Sequence, residues 1–265
     1  MATLQTLVDY DAWAGHYDAT RRASQRIAFA LLEALGAANG RNLLDIGGGT
    51  GNFAAVTRQA GFRVSVADLS GAMLRQARGK LGATVGFAVA RAERLPYRAC
   101  SFDCALLVNV LLHLAQRGRA LAEARRVLRS GPLVIRTTTQ ETERGHWAYH
   151  YFRGLASWQP PSLSEGQLAD ELGAAGFSSV LVRRFWYHGD ADGSFQSLKY
   201  DPEALLHAAK TQSVAVFKRL PLPELERGIR ALAEDLRSGR IRDVVGSYGS
   251  RVAEYGDGVI AAAWT

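Results

Sequence analysis

Short apolar segments alternate with amphipathic segments along the first half of the chain. The apolar segments contain β-branched residues or end in turn residues, as strands do, whereas the segments between them repeat apolar residues at helical spacing. This pattern predicts strands at 42–46, 62–67, 84–89, 102–108 and 133–138. It predicts helices at 21–35, 51–60, 70–81 and 115–128, with Gly61 closing the second and Ser70 capping the third.

The pattern changes after Thr139. An aromatic-rich stretch at 145–159 precedes a predicted helix at 164–175, a sixth strand at 177–187, a mostly helical region at 201–240 and a last strand at 258–263. Strands that alternate with helices predict an α/β fold with a doubly wound, mostly parallel seven-stranded sheet. The helical interruption predicts a cap inserted before the last strand. Ligands bind such sheets beyond the carboxyl ends of the strands, where the strand order reverses.

Composition narrows the class of protein. The chain has 265 residues and a net charge of +7, but its basic residues are spread out and do not interleave with aromatic residues. We therefore expect no nucleic-acid partner. The apolar run at 104–115 is too short for a bilayer, and the N-terminus has no signal pattern, which predicts a soluble cytoplasmic protein without a membrane partner. Cys100 and Cys104 lack a second pair, so neither a disulfide framework nor a metal site is expected.

A cluster of glycines follows the first strand, in the sequence DIGGGTGN. A nicotinamide or flavin fold uses G-x-G-x-x-G, whose third glycine falls here on Asn52, so that interpretation fits poorly. Asp45 at the end of the strand would repel a pyrophosphate but not a ligand that bears an ammonium group. Asp68 at the end of the second strand can accept hydrogen bonds from both hydroxyls of a ribose.

Four segments in this order, DIGGGTGNF, VADLSGAML, AERLPYRACSFDCALLVNVLLHL and ALAEARRVL, resemble the class I S-adenosylmethionine-dependent methyltransferases. They are similar to the small-molecule group related to ubiquinone and menaquinone methyltransferases. The N-terminal YDAWAGHYD is also similar to the family's first segment. The resemblance implies one methyltransferase domain over 1–265, with an N-terminal helical segment over the cofactor at 1–40. It places the cofactor-binding core at 41–139, and the remaining strands with a helical substrate cap at 140–265.

The resemblance also implies S-adenosyl-L-methionine as cofactor and gives roles to the matching positions. Asp45, Gly47, Gly48, Gly49 and Asn109 would face its methionine part. Asp68 would hold the ribose, Leu69 and Met73 would flank the adenine, Ala92 and Glu93 would lie at the adenine edge, and Tyr17 would close over the cofactor.

The chain departs from the family in two places. The family has an acid directly before the Ala-Glu pair, where it accepts from the adenine amino group, but this position is Arg91, which accepts no hydrogen bond. Three interpretations of this departure are open. Glu93 substitutes for the acid, the backbone alone makes the contacts to the adenine, or the Arg91 side chain points away from it. Ser130, Gly131 and Pro132 replace the family's Gly-Gly turn before the fifth strand.

Two residues are candidates for catalysis, His113 and Tyr17. His113 lies one helical turn after Asn109, and a histidine there could take a proton from an acceptor hydroxyl or amine. The alternative for His113 is a partly buried side chain bonded to backbone. His146 and His150 have helical spacing, but two histidines make a poor metal site, so no metal is expected. The aromatic residues around them either line a pocket for an apolar acceptor or pack with one another.

These observations predict an S-adenosylmethionine-dependent methyltransferase that acts on a small, hydrophobic or aromatic molecule by in-line displacement. The alternatives are a methyltransferase fold without methyl transfer, such as a cyclase or a structural use of the cofactor site, a nicotinamide oxidoreductase and a nucleic-acid-binding module. The sequence leaves the acceptor and the oligomeric state open.

Overall fold

The structure of the protein is a computed structural model that describes residues 10–155, 162–190, 192–214 and 216–265. Residues 1–9 of the predicted N-terminal segment and 156–159 of the aromatic-rich stretch lie outside the described residues.

Seven strands form one sheet. They are β1 (Asn42–Ile46), β2 (Arg63–Asp68), β3 (Gly86–Val89), β4 (Cys104–Val108), β5 (Leu133–Thr137), β6 (Ser179–Phe185) and β7 (Gly258–Trp264). Their order is β3-β2-β1-β4-β5-β7-β6. Strands β1 to β5 pair in parallel, and β7 pairs antiparallel with β5. The predicted α/β fold class with a mostly parallel, seven-stranded sheet is confirmed.

The α-helices are α1 (Tyr10–Thr20), α2 (Gln25–Leu35), α3 (Asn52–Gln59), α4 (Gly71–Leu81), α5 (Arg117–Val127), α6 (Gln140–Glu143), α7 (Glu165–Ala174), α8 (Pro202–Thr211), α9 (Leu222–Ser238) and α10 (Ile241–Tyr255). Short 3-10 helices lie at Leu111–His113, Trp147–His150, Ser197–Tyr200 and Phe217–Arg219. Ser70 caps α4 as predicted, because its hydroxyl accepts from the Met73 amide at 3.0 Å.

One helix was not expected from the sequence. The predicted helical region ended at residue 240, whereas α10 continues to Tyr255. Ile241, Val244, Val245 and Tyr248 recur along this helix at helical spacing, so its apolar stripe was visible in the sequence, although Gly246 and Gly249 lower its helix propensity.

The described chain divides into two compact units. The sheet unit comprises the residues up to 137 together with 163–183 and 259–265, and the helical unit comprises 138–162 and 184–258. In the sheet unit, the first four residues of β4 and all five of β5 are buried. Such complete burial agrees with a parallel sheet that is covered on both faces. Cys104 in β4 is a buried free thiol.

The helical unit has its own core, in which aromatic side chains from 147–152 pack against residues of α8, α9 and the neighbouring segments. His146 belongs to this core, since its Nε2 lies 2.8 Å from the Phe195 carbonyl oxygen and its Nδ1 accepts from the Ala148 amide at 3.2 Å. Burial and the nearby Lys199 lower the pKa of His146 to about 3. The histidine is therefore neutral, with Nε2 as the donor.

A buried ion pair also lies in the helical unit. The Lys199 Nζ is 2.8 Å from an Asp257 carboxylate oxygen, and both side chains are almost completely inaccessible to solvent. The second oxygen of Asp257 accepts from the Tyr187 amide and the Tyr200 hydroxyl, each at 2.7 Å. These two donors satisfy one oxygen of the carboxylate, and the ion pair with Lys199 compensates the charge at the other.

Within the described part of the chain, no helix combines the length and the hydropathy that crossing a bilayer would take.

Gly228 in α9 provides a test of packing in the helical unit. A Cβ at this position would lie 2.3 Å from Cε1 of Phe152 and 2.9 Å from the Tyr151 carbonyl oxygen. We expect Gly228→Ala to lower the free energy of unfolding by about 1–3 kcal/mol, despite the higher helix propensity of alanine. Urea denaturation measures this loss. The slope of the unfolding free energy against urea concentration should be the same for the variant and the wild type.

Gly246→Ala in α10 is the matched control, because a Cβ there meets no atom within 4 Å. This variant should be neutral or up to about 1 kcal/mol more stable. Equal destabilisation by the two substitutions would contradict the packing account.

Candidate functional site

A cavity opens in the sheet unit at the carboxyl ends of β1, β2 and β4. It lies where the strand order reverses between β1 and β4, the position at which doubly wound sheets bind ligands. Its volume is about 790 Å³ when the part open to solvent is included.

The glycine loop, residues 47–51, forms one wall of this cavity. Gly47, Gly49 and Gly51 have φ angles of 70°, 56° and 77°, which L side chains rarely adopt. A Cβ on Gly49 would meet no atom within 4 Å, so open space lies beside this residue. The sequence spends glycines here because the backbone turns through left-handed conformations while it exposes its main chain to the cavity.

Asp68 ties the glycine loop to the start of α4. One carboxylate oxygen accepts from the Gly49 amide at 2.9 Å, and the other accepts from the Ser70 amide at 2.8 Å. A carboxylate can accept about four hydrogen bonds, so each oxygen retains the capacity for a further donor. Asp68 lines the cavity and can offer that capacity to a ligand.

Helix α1 is fixed to the sheet unit by two carboxylates. Asp11 accepts from the Ser70 hydroxyl at 2.5 Å and from the Ala72 amide at 3.0 Å. These two hydrogen bonds, the hydroxyl first, hold the pKa of Asp11 below its usual value.

Asp18 forms the second attachment of α1, two helical turns after the first. Its carboxylate accepts from the Thr50 hydroxyl at 2.6 Å and pairs with Lys80 Nζ at 2.8 Å. Burial alone would raise the pKa of Asp18, but these partners outweigh it and lower the pKa. The same helix brings Tyr10 and Tyr17, also two turns apart, to the wall of the cavity.

His113 and Asn109 lie on the segment that follows β4. His113 ends the 3-10 helix Leu111–His113 and packs edge-on against the Tyr10 ring, with 6.0 Å between ring centroids. Asn109 has a φ of 59°, a left-handed conformation that asparagine tolerates better than most residues. Both residues line the cavity.

The structure brings most of the predicted site residues to one cavity. Its walls include Tyr17, Gly47, Gly49, Asp68, Leu69, Met73, Ala92, Asn109 and His113. The lining does not include Asp45, Gly48 and Glu93. Asp45 lies behind the loop, because a Cβ on Gly48 would come within 2.7 Å of its carboxylate. The roles given to all these residues stay predictions.

Several lining residues were not predicted from the sequence. They are Tyr10, Ile46, Ala67, Ala90, Leu95, Val108, Val110 and Leu114. The apolar ones carry no chemical signal, because a strand-end alanine or valine looks like any core residue. Tyr10 had a signal, since it lies seven residues before Tyr17 and so on the same face of a helix.

Comparison with known proteins decides the family. The Methyltransferase domain family matches residues 44–135. The chain is also 34% identical over 205 residues to the malonyl-[acyl-carrier protein] O-methyltransferase of Geobacter sulfurreducens, which covers 72% of this chain and 75% of that protein. The chain belongs to the class I S-adenosylmethionine-dependent methyltransferases.

A further relative agrees with this family, and a solved structure shares the fold. The ubiquinone/menaquinone biosynthesis C-methyltransferase of Acidiphilium cryptum is 41% identical over 97 residues, which cover 34% of this methyltransferase and 39% of that one. A solved structure from Anabaena variabilis, described as a methyltransferase of an antibiotic biosynthesis pathway, shares the fold with a TM-score of 0.77 at 22% identity. It covers 93% of this chain and 99% of that chain.

The methyltransferase departs from its family at Arg91, and the structure shows where this side chain goes. Arg91 Nε lies 3.6 Å from a Glu93 carboxylate oxygen, with the arginine half-exposed and the glutamate buried. The flanking Ala90 and Ala92 line the cavity. This arrangement turns the arginine toward Glu93 and leaves the cavity wall here to small residues and their backbone.

Asp45 gives the site its electrostatic character. Burial, assisted by the charge of Asp68, raises the pKa of Asp45 from 3.8 to about 7. The pKa of Asp68 is also raised by burial, against the lowering effect of its backbone hydrogen bonds. Two carboxylates that share a poorly solvated region ionise reluctantly, and a nearby positive charge favours their ionised forms.

The raised pKa of Asp45 predicts how stability depends on pH. Between about pH 4 and pH 7 the native state holds a proton that the unfolded chain releases. The stability from Asp45 is therefore fully present below about pH 4 and is lost as the pH rises to about 7. Relative to Asp45→Asn, the wild type should lose up to about 1.4 kcal/mol per pH unit in this window.

Urea denaturation of both proteins without ligand at several pH values measures this difference. Asp170→Asn, which changes an exposed carboxylate on α7, serves as the control and should show no such trend. A wild-type-minus-Asp45→Asn difference that stays constant across the window would mean that Asp45 is not a buried acid of raised pKa.

Proposed function

We propose that this methyltransferase uses S-adenosyl-L-methionine and transfers its methyl group to a small, hydrophobic molecule by in-line displacement. The observation that carries the proposal is that Asp68 lies at the wall of the cavity beside the glycine loop, with the buried Asp45 directly behind that loop. Acids at this position favour a ligand that carries positive charge and a ribose, and they disfavour a pyrophosphate.

The residues of the cavity fit this cofactor. Asp68 lines the cavity with free acceptor capacity on both oxygens, which suits the two hydroxyls of a ribose. The half-exposed Leu69 and the buried Met73 supply apolar surface for an adenine ring. Open space beside Gly49 admits the chain of the methionine part.

The adenine edge is then read differently from the family pattern. Because neither Arg91 nor Glu93 lines the cavity, we infer that neither side chain replaces the missing acid. The backbone around Ala90 and Ala92, which line the cavity, would make the polar contacts to the adenine. A backbone amide and carbonyl can serve both a ring nitrogen and an amino group.

When bound, the cofactor supplies an electrophilic methyl group on a positively charged sulfur. The protein has to place an acceptor in line with that methyl group and to exclude water, and such alignment is worth about 7–11 kcal/mol in favourable models. Tyr10 and Tyr17, held by the two attachments of α1, would cover the site.

His113 is the candidate general base. It lines the cavity beside Val110 and Leu114, whose apolar side chains suit a hydrophobic acceptor. A base at this position would take the proton from an acceptor hydroxyl or amine and contribute about 10²–10⁴-fold to the rate.

The relatives from Geobacter sulfurreducens and Acidiphilium cryptum are named for an acyl carrier protein substrate and for quinone biosynthesis. An acyl thioester or a quinol is therefore the acceptor class to test first.

The test uses cofactor labelled in the methyl group together with a panel of quinols, phenols and acyl thioesters. We expect label in an apolar product extracted into organic solvent. Asp68→Ala should raise the Michaelis constant for the cofactor by about 10- to 160-fold, which corresponds to the 1.5–3 kcal/mol of a hydrogen bond to a charged group. Asp170→Ala, which removes an exposed carboxylate, is the matched control.

Two results would contradict the proposal in different ways. Label that appears only in protein or nucleic acid would overturn the small-molecule acceptor. A cofactor that fails to bind the wild type at all would overturn the proposed function itself.

A further inference from the structure

Asn109 is held by Arg136 at the wall of the cavity. Arg136 Nη1 donates to Asn109 Oδ1, and the Asn109 amide donates to the Arg136 carbonyl oxygen at 3.0 Å. Arg136 lies in β5, the neighbour of β4, and only 3% of its surface is exposed. One buried residue therefore fixes both the backbone and the side chain of Asn109.

This contact fixes the direction of the Asn109 amide group. A guanidinium can only donate hydrogen bonds, so the side-chain oxygen of Asn109 must be the atom that faces Arg136. The amino group, Nδ2, is then the end that remains for a ligand. Asn109 is an exposed residue of the cavity wall, so a ligand in the cavity can reach it.

The backbone of Asn109 supports a role beyond packing. Its φ of 59° costs free energy that a glycine would not, and such strain persists only where the surroundings hold it. The strained residue turns the chain out of β4 and into the 3-10 helix that carries His113.

We propose that Arg136 is a positioning residue that presents the Asn109 amino group to the cavity, where it donates to a carboxylate of the bound ligand. This inference rests on the proposed function, in which that carboxylate belongs to the methionine part of the cofactor. A carboxylate that enters a cavity with Asp68 at its wall and Asp45 behind the glycine loop needs hydrogen-bond donors to offset the repulsion. Asn109 supplies one of them.

The binding affinities of two nucleosides distinguish this contact from the other contacts of the site. S-adenosylhomocysteine carries the amino-acid carboxylate, and 5′-methylthioadenosine has the same adenosine and sulfur without it. Asn109→Asp keeps an oxygen for Arg136 but removes the donor and adds a negative charge. We expect calorimetry to show at least about tenfold weaker binding of S-adenosylhomocysteine and a change of less than about twofold for 5′-methylthioadenosine.

The melting temperature of Asn109→Asp should equal or exceed that of the wild type, because an aspartate pairs with Arg136 at least as well as an amide does. This readout shows that lost affinity does not come from a damaged fold. Asn39→Asp adds the same charge at an exposed turn and should leave both affinities unchanged.

The role of Arg136 is tested by two further variants. Arg136→Met removes the donor that orients the amide. It should weaken the binding of S-adenosylhomocysteine about three- to tenfold and change the binding of 5′-methylthioadenosine little. Arg136→Lys still donates and should restore part of the affinity.

Three other results would contradict this account. An equal loss of affinity for both nucleosides in Asn109→Asp, or no loss of affinity for either, would overturn the carboxylate contact. Unchanged binding of S-adenosylhomocysteine by Arg136→Met would overturn the positioning role. Failure of both nucleosides to bind the wild type would overturn the proposed function, which is distinguishable because it precedes any substitution.

Discussion

Two carboxylates at the ends of neighbouring strands set the electrostatics on which the site depends. Asp45 is the next-to-last residue of β1 and Asp68 is the last residue of β2, both beside the glycine loop, and burial raises the pKa of both. Charge in such a place is costly unless a positive partner compensates it. The arrangement therefore favours a ligand with positive charge and hydroxyl donors. These two carboxylates would repel an anion such as pyrophosphate. In dinucleotide-binding folds, the backbone amides of the glycine loop and of the helix N-terminus bind the pyrophosphate instead.

The fold places the other parts of the site around this pair. Reversal of strand order between β1 and β4 brings the glycine loop and the segment 109–113 to one cavity. Two carboxylates of helix α1 attach it to this site. Asp11 accepts a hydrogen bond from Ser70 at the start of α4, and Asp18 accepts from Thr50 and pairs with Lys80. The residues that would hold the ligand and those that would cover it are thus tied to the same few elements, so a change in the loop is felt by α1.

The sequence predicted the sheet and its order of elements well, because strands such as β4 are continuous apolar runs that allow few alternatives. It also located Asp68 and the loop, since acids and glycines at strand ends carry a chemical signal. It missed α10, whose apolar residues Ile241, Val244 and Tyr248 do have helical spacing, because Gly246 and Gly249 weaken the helix propensity of the segment. It also missed Arg136, although a single arginine inside the apolar strand LVIRT was visible. The partners of Arg91, Asp11 and Asp18 depend on distances that no local pattern encodes.

The central claim is that the cavity accepts a positively charged, ribose-bearing nucleoside and rejects a pyrophosphate. Parallel calorimetric titrations of the wild-type protein with S-adenosyl-L-methionine and with NADH test it most directly. The account predicts saturable binding of S-adenosyl-L-methionine at one site per chain and no heat of binding with NADH. Saturable binding of NADH without binding of S-adenosyl-L-methionine would contradict it.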